Sequence, residues 1–122
     1  MTYLTIEQVK REARRSDRAA IRCSIKHWEE LRDAPLKDLR RRDNIWPFAV
    51  FCALCRRHKR EMDVCDGCPL DEYGENCFSL SSVYSTALDY CRKYVNIPNL
   101  ESEITYRKAA QEMVTTLKSF LE

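Results

Sequence analysis

The chain has 122 residues, of which 44% are hydrophobic and 33% charged, and its net charge is only +2. That fits one domain with a modest core and falls far short of a strongly basic nucleic-acid-binding domain. Two Gly, four Pro and no low-complexity tract argue against a disordered chain, and no apolar stretch approaches the roughly 18 residues of a membrane span.

Thr5-Ile6-Glu7-Gln8 reads as a capping box, with Thr at the N-cap and Gln three residues on. It predicts a helix through about Arg15. Ser16-Asp17 starts a second helix or lies within one long one. Ala20, Ile21, Ser24, Ile25, Trp28 and Leu31 then fall at helical spacing, opposite Arg18, Arg22, Lys26, Glu29 and Glu30. This amphipathic helix ends before Ala34-Pro35. Leu36 to Asp43 is short and basic, one or two helical turns. Phe48-Ala49-Val50-Phe51, after Pro47, is an apolar run with room for a short strand. Residues 52–77 hold both Gly and five Cys with little aliphatic content, so a hydrophobic core cannot hold them.

Helical periodicity returns with Leu80, Val83, Tyr84, Ala87, Leu88, Cys91 and Tyr94, with Ser81 or Ser82 as N-cap. Asn96-Ile97-Pro98-Asn99 is a turn. In a last helix Ile104, Ala109 or Ala110, Met113, Val114, Leu117, Phe120 and Leu121 form the expected buried stripe. The expected fold is mainly α: about four helices around a central zinc-stapled, knuckle-like loop, with room for one short strand pair. The chain reads as a single domain over 1–122, with a basic helical half (1–45), a zinc-binding segment (46–78) and a C-terminal helical pair (79–122). Residues 1–60 carry a net +8 and residues 61–122 a net −6.

The cysteine spacing carries the most chemistry. Cys52-x2-Cys55 is followed after nine residues by Cys65-x2-Cys68, and after eight more by Cys77. Two residues between ligands let one tight turn present both sulfurs to an ion about 2.3 Å away, and two such pairs complete a tetrahedron. In Cys65-Asp66-Gly67-Cys68, Gly67 suits a turn that aims backbone N–H groups at sulfur. One structural Zn2+ is expected on four of Cys52, Cys55, Cys65, Cys68 and Cys77, with His58 an outside candidate. Arg56, Arg57, Lys59 and Arg60 adjoin the site and would offset the charge of a thiolate centre. An iron–sulfur cluster is the lesser alternative: Cys68-Pro69 echoes a cluster motif, but the C-x2-C-x2-C run is absent. Cys23 and His27 share a helix face at i, i+4, a ligand spacing more simply read as a core thiol beside a surface imidazole. Cys91 reads as a buried structural thiol.

Ser24-Ile25-Lys26-His27-Trp28, Cys52-Ala53-Leu54-Cys55, Cys65-Asp66-Gly67-Cys68-Pro69-Leu70 and Cys77 together resemble a set of small uncharacterised proteins common in bacteriophage and prophage genomes. The similarity covers about residues 24–78. It departs after the last Cys, where Phe78-Ser79-Leu80 replaces the group's T-P-Y. The resemblance implies a phage origin and a metal site, and no activity.

No enzyme is expected. His27-Trp28-Glu29 matches the His-x-Glu of zinc deaminases, but Phe51 and Val64 stand where the Pro before a CxxC pair is required. Phosphate loops, dinucleotide fingerprints and nucleophile elbows are absent, and no small-molecule substrate is expected. A protein partner is expected, with the chain acting as an interaction module or as an inhibitor of a host or defence protein. The alternative is nucleic-acid binding through Arg40, Arg41 and Arg42 and through Arg56, Arg57, Lys59 and Arg60, with Trp46 and Phe48 between them for stacking. The odd cysteine count and an N-terminus without a basic-then-apolar leader point to a reducing cytoplasm, that of a bacterial host if the chain is phage-encoded, and to no membrane association.

Overall fold

The computed structural model describes residues 3–41 and 83–122. Five helices occupy them: α1 (Ile6–Arg15), α2 (Asp17–Asp33), α3 (Leu36–Arg41), α4 (Val83–Asn96) and α5 (Leu100–Ser119). There is no strand among the described residues. Leu80, Ser81, Ser82 and the apolar run Phe48–Phe51 lie outside them.

The capping box at Thr5 forms: Gln8 N–H donates to the Thr5 hydroxyl at 3.2 Å and Thr5 N–H to Gln8 Oε1 at 2.8 Å. Ser16 separates α1 from α2. Its backbone is extended, ending one helix, and its hydroxyl accepts from Ala19 N–H at 3.0 Å, starting the next. A Ser hydroxyl satisfies one of the donors that every helix start leaves open, so one residue serves as both stop and start. Asn99 caps α5 likewise, its side chain accepting from Ser102 N–H at 2.8 Å.

α5 packs against both α2 and α4, and α1 packs against α2. Neighbouring helices run antiparallel. Leu4 N–H, at the start of α1, donates to Glu30 near the end of α2. Arg18 reaches the Leu121 carbonyl at one end of the α2–α5 pair, while Arg32 reaches Gln111 towards the other. The core is one cluster centred on Trp28, Leu31, Leu39, Tyr106, Met113, Val114 and Leu117. Trp28 meets Tyr84 edge to face at 6.1 Å, tying α2 to α4. Such a pair adds about 0.5–1.5 kcal/mol beyond its buried area.

Two expectations reverse. His27 is only 2% exposed, not a surface side chain. α2 packs against both α1 and α5, so more than one stripe of it is covered, and Ala19, Cys23 and His27 join the expected face. Ile104 is 58% exposed rather than buried. The stripe of α5 runs through Tyr106, Ala109, Ala110, Met113, Val114 and Leu117. The helical neighbours of Ile104 on the C-terminal side are Arg107, Lys108 and Gln111, which places it on the polar face.

The end of α2 shows how the halves are joined. Pro35 stops the helix and has no N–H to donate to the Leu31 carbonyl. The Tyr106 hydroxyl, from α5, donates to that carbonyl instead. Beside it, the Arg107 guanidinium donates to the Arg32 carbonyl and, at 3.1 Å, to that of Ala34. A guanidinium also suits the negative end of a helix dipole. Glu103 holds Arg107 at 3.0 Å and accepts from Tyr94 Oη at 3.1 Å, and Arg107 lies 5.8 Å from the Tyr94 ring. Burial pushes the Tyr106 phenol far up, with Cys91 beside it adding to the shift. Arg107 first, then Tyr94, holds the Glu103 carboxyl below the usual range.

Candidate functional site

The residues expected to bind metal, Cys52, Cys55, His58, Cys65, Cys68 and Cys77, all lie outside the described residues, as do Arg42, Trp46, Phe48, Arg56, Arg57, Lys59 and Arg60. The donor set itself fits zinc: thiolates are soft ligands that select Zn2+ or iron–sulfur clusters over hard cations. The described residues on either side, Arg41 at the end of α3 and Val83 at the start of α4, belong to the helical body. Among the described residues no group of three or more His, Cys, Asp or Glu is placed to hold a metal. Cys23 and Cys91 are both buried, and neither is in a disulfide.

The described helices also meet one another directly. α2 packs directly on α5, and α3 contacts α4, with Arg40 Nη2 reaching the Val95 carbonyl at 3.5 Å. The two C-terminal helices are not acidic. Residues 83–122 carry five basic and five acidic side chains, so the −6 of the second half rests on Glu61, Asp63, Asp66, Asp71, Glu72 and Glu75.

Three surface features stand out on the helices. The first is apolar: Ile97, Leu100 and Ile104 are 71%, 72% and 58% exposed. Leu100 and Ile104 are i, i+4 on α5 and so share a face. Ile97 precedes them in the turn, and its carbonyl accepts from Ser102 Oγ at 3.1 Å. Periodicity did not reveal this feature, but the polar neighbours of Ile104 in sequence carried the signal.

The second is a groove of about 430 Å3 between α1 and α2, lined by Arg11, Arg15, Arg18, Arg22 and Lys26 among others. Periodicity puts Arg18, Arg22 and Lys26 on the polar side of α2; that they share a groove with α1 is a tertiary relation. The third is the end of α3, where Arg40 and Arg41 are both exposed.

No helix among the described residues is long and apolar enough to cross a membrane. No protein family, curated protein or solved structure matches this chain.

Proposed function

We propose that this protein is a small, non-enzymatic zinc-binding module that engages a protein partner, with the helical body as scaffold. The observation that carries this reading is the exposed apolar set Ile97, Leu100 and Ile104. Leu100 and Ile104 share a face of α5, and exposed apolar side chains grouped together mark interaction sites. The set begins at a doubly capped turn, where Ser102 and Asn99 lock the chain, so it is offered by a rigid element. One Zn2+ on four of the five cysteines from Cys52 to Cys77 staples the segment that has too little aliphatic content to pack. The phage origin, and with it action against a host or defence protein, rests on the motif resemblance.

The test is capture from bacterial lysate with wild-type protein and with Leu100→Asp/Ile104→Asp. Both positions are exposed, so the variant should fold. A stoichiometric protein captured by wild type and lost by the variant supports the reading. Recovery of nucleic acid alone, with no protein partner, refutes it.

A further inference from the structure

The groove between α1 and α2 concentrates one sign of charge. Several cations elsewhere on the described helices sit within reach of carboxylates at helical spacing: Lys93 with Asp89 at 3.1 Å, Arg107 with Glu103 at 3.0 Å, Lys10 with Glu7 at 3.7 Å. In the groove, five cations share one carboxylate among the lining residues. That carboxylate, Glu12, is held by Arg15 at 2.7 Å and lies 3.7 Å from Arg11. The usual reading of a charged helix face is a solvated surface, which gains nothing from concentrating one sign. Here α1 and α2 run antiparallel, and their cationic rows face a common groove.

The spacing identifies the ligand class. Arg11 and Arg15 are i, i+4 on α1, and Arg18, Arg22 and Lys26 are i, i+4, i+8 on α2. Each step rises about 6 Å, so the α2 row spans about 12 Å. Parallel rows of that length suit a repeating polyanion better than one small anion. The lining residues include no aromatic side chain, whereas grooves for single-stranded nucleic acid stack bases on aromatics. What remains is contact with a phosphate backbone, which positions a protein without reading sequence. We infer that the α1–α2 groove, through Arg11, Arg15, Arg18, Arg22 and Lys26, binds the phosphate backbone of duplex nucleic acid independently of sequence. The lining residues share none with the apolar set on α5.

The experiment uses the full chain and labelled random-sequence duplexes, one DNA and one RNA, titrated from 50 to 200 mM salt. Four to five phosphate contacts give a slope of log K against log salt of about −4, so affinity falls on the order of 100- to 1,000-fold over that range. Arg18→Gln/Arg22→Gln should lower the slope by about 2, while Lys93→Gln/Lys108→Gln, which changes net charge equally, should leave it unaltered. Circular dichroism checks that both variants fold. If neither duplex binds at 50 mM salt, or if both variants weaken binding alike, the inference falls. It falls equally if polyglutamate binds as tightly as the duplexes, or if inorganic phosphate displaces them at low millimolar concentration, since the groove would then be a general anion site.

Discussion

Replacing Tyr106 with Phe removes one oxygen from the centre of the protein and tests how the halves are held together. The ring is fully buried, stacks on Tyr94 at 5.7 Å, and its hydroxyl donates to the Leu31 carbonyl. Pro35 cannot supply the N–H that an uninterrupted helix would offer that carbonyl. Tyr106→Phe keeps the ring packing and leaves a buried acceptor without its donor. Such a loss costs about 1–3 kcal/mol. Taking about 2 kcal/mol, Tm should fall by roughly 6–10 °C for a chain of this size. The urea midpoint should drop by about 1 M with an unchanged m-value of about 2 kcal/mol/M. Urea denaturation followed by circular dichroism measures this, with Tyr90→Phe as the control. Tyr90 is only half-buried and lies beside Lys93, so its substitution should stay within about 0.5 kcal/mol. A Tyr106→Phe effect below about 0.5 kcal/mol would show that Leu31 finds another donor and that this contact does not join the halves.

Arg107→Lys keeps the charge but cannot bridge the Arg32 and Ala34 carbonyls and Glu103 together, so it should destabilise by about 1–2 kcal/mol. Stability equal to wild type by the same denaturation assay would remove the guanidinium from the joint. In alkali the tyrosines set the limit. Burial, then the hydrogen bond to Asp38, pushes Tyr3 up to about 12, and Tyr94 and Tyr106 are also raised. Because these folded-state values lie above the unfolded value of 10.0, the stabilisation is complete below pH 10 and is lost above it, that of Tyr3 as pH rises through about 12. Tyrosinate absorbance and helical signal should change together there; full ionisation near pH 10 with helices intact would contradict the burial of Tyr106. Purified protein should contain about one zinc per chain by elemental analysis, and Cys55→Ser or Cys68→Ser should lose it. Absence of metal with the five thiols from Cys52 to Cys77 titratable in the folded protein would rule the centre out, and iron would reassign it to a cluster.

Much of the helical frame was legible in the sequence, because caps and periodicity are local. Thr5 with Gln8, the turn at Asn96–Asn99 and the stripe through Ala20, Trp28 and Leu31 depend on residues a few positions apart. The division between α1 and α2 at Ser16 was undecided in sequence, since a Ser is tolerated within a helix as well as before one. The metal ligands are legible only as a spacing pattern of cysteines, and they lie outside the described residues. Of the basic residues of the nucleic-acid alternative, Arg40 and Arg41 are seen, exposed at the end of α3.

The amino-acid sequence by itself determined the cap at Thr5, the interruptions at Pro35 and Pro98, and most of the inward stripes of α2, α4 and α5, since these follow from short-range hydrogen bonds and a 3.6-residue period. Tertiary packing decided how wide each buried stripe is. α2 lies against two helices, so His27 is covered as well as Trp28. It also decided that Tyr106 and Arg107 complete the carbonyls orphaned around Pro35, and that Arg11 and Arg15 share a groove with Arg18, Arg22 and Lys26. Those relations join residues distant in sequence or on different helices, and periodicity within one helix carries no information about its neighbour.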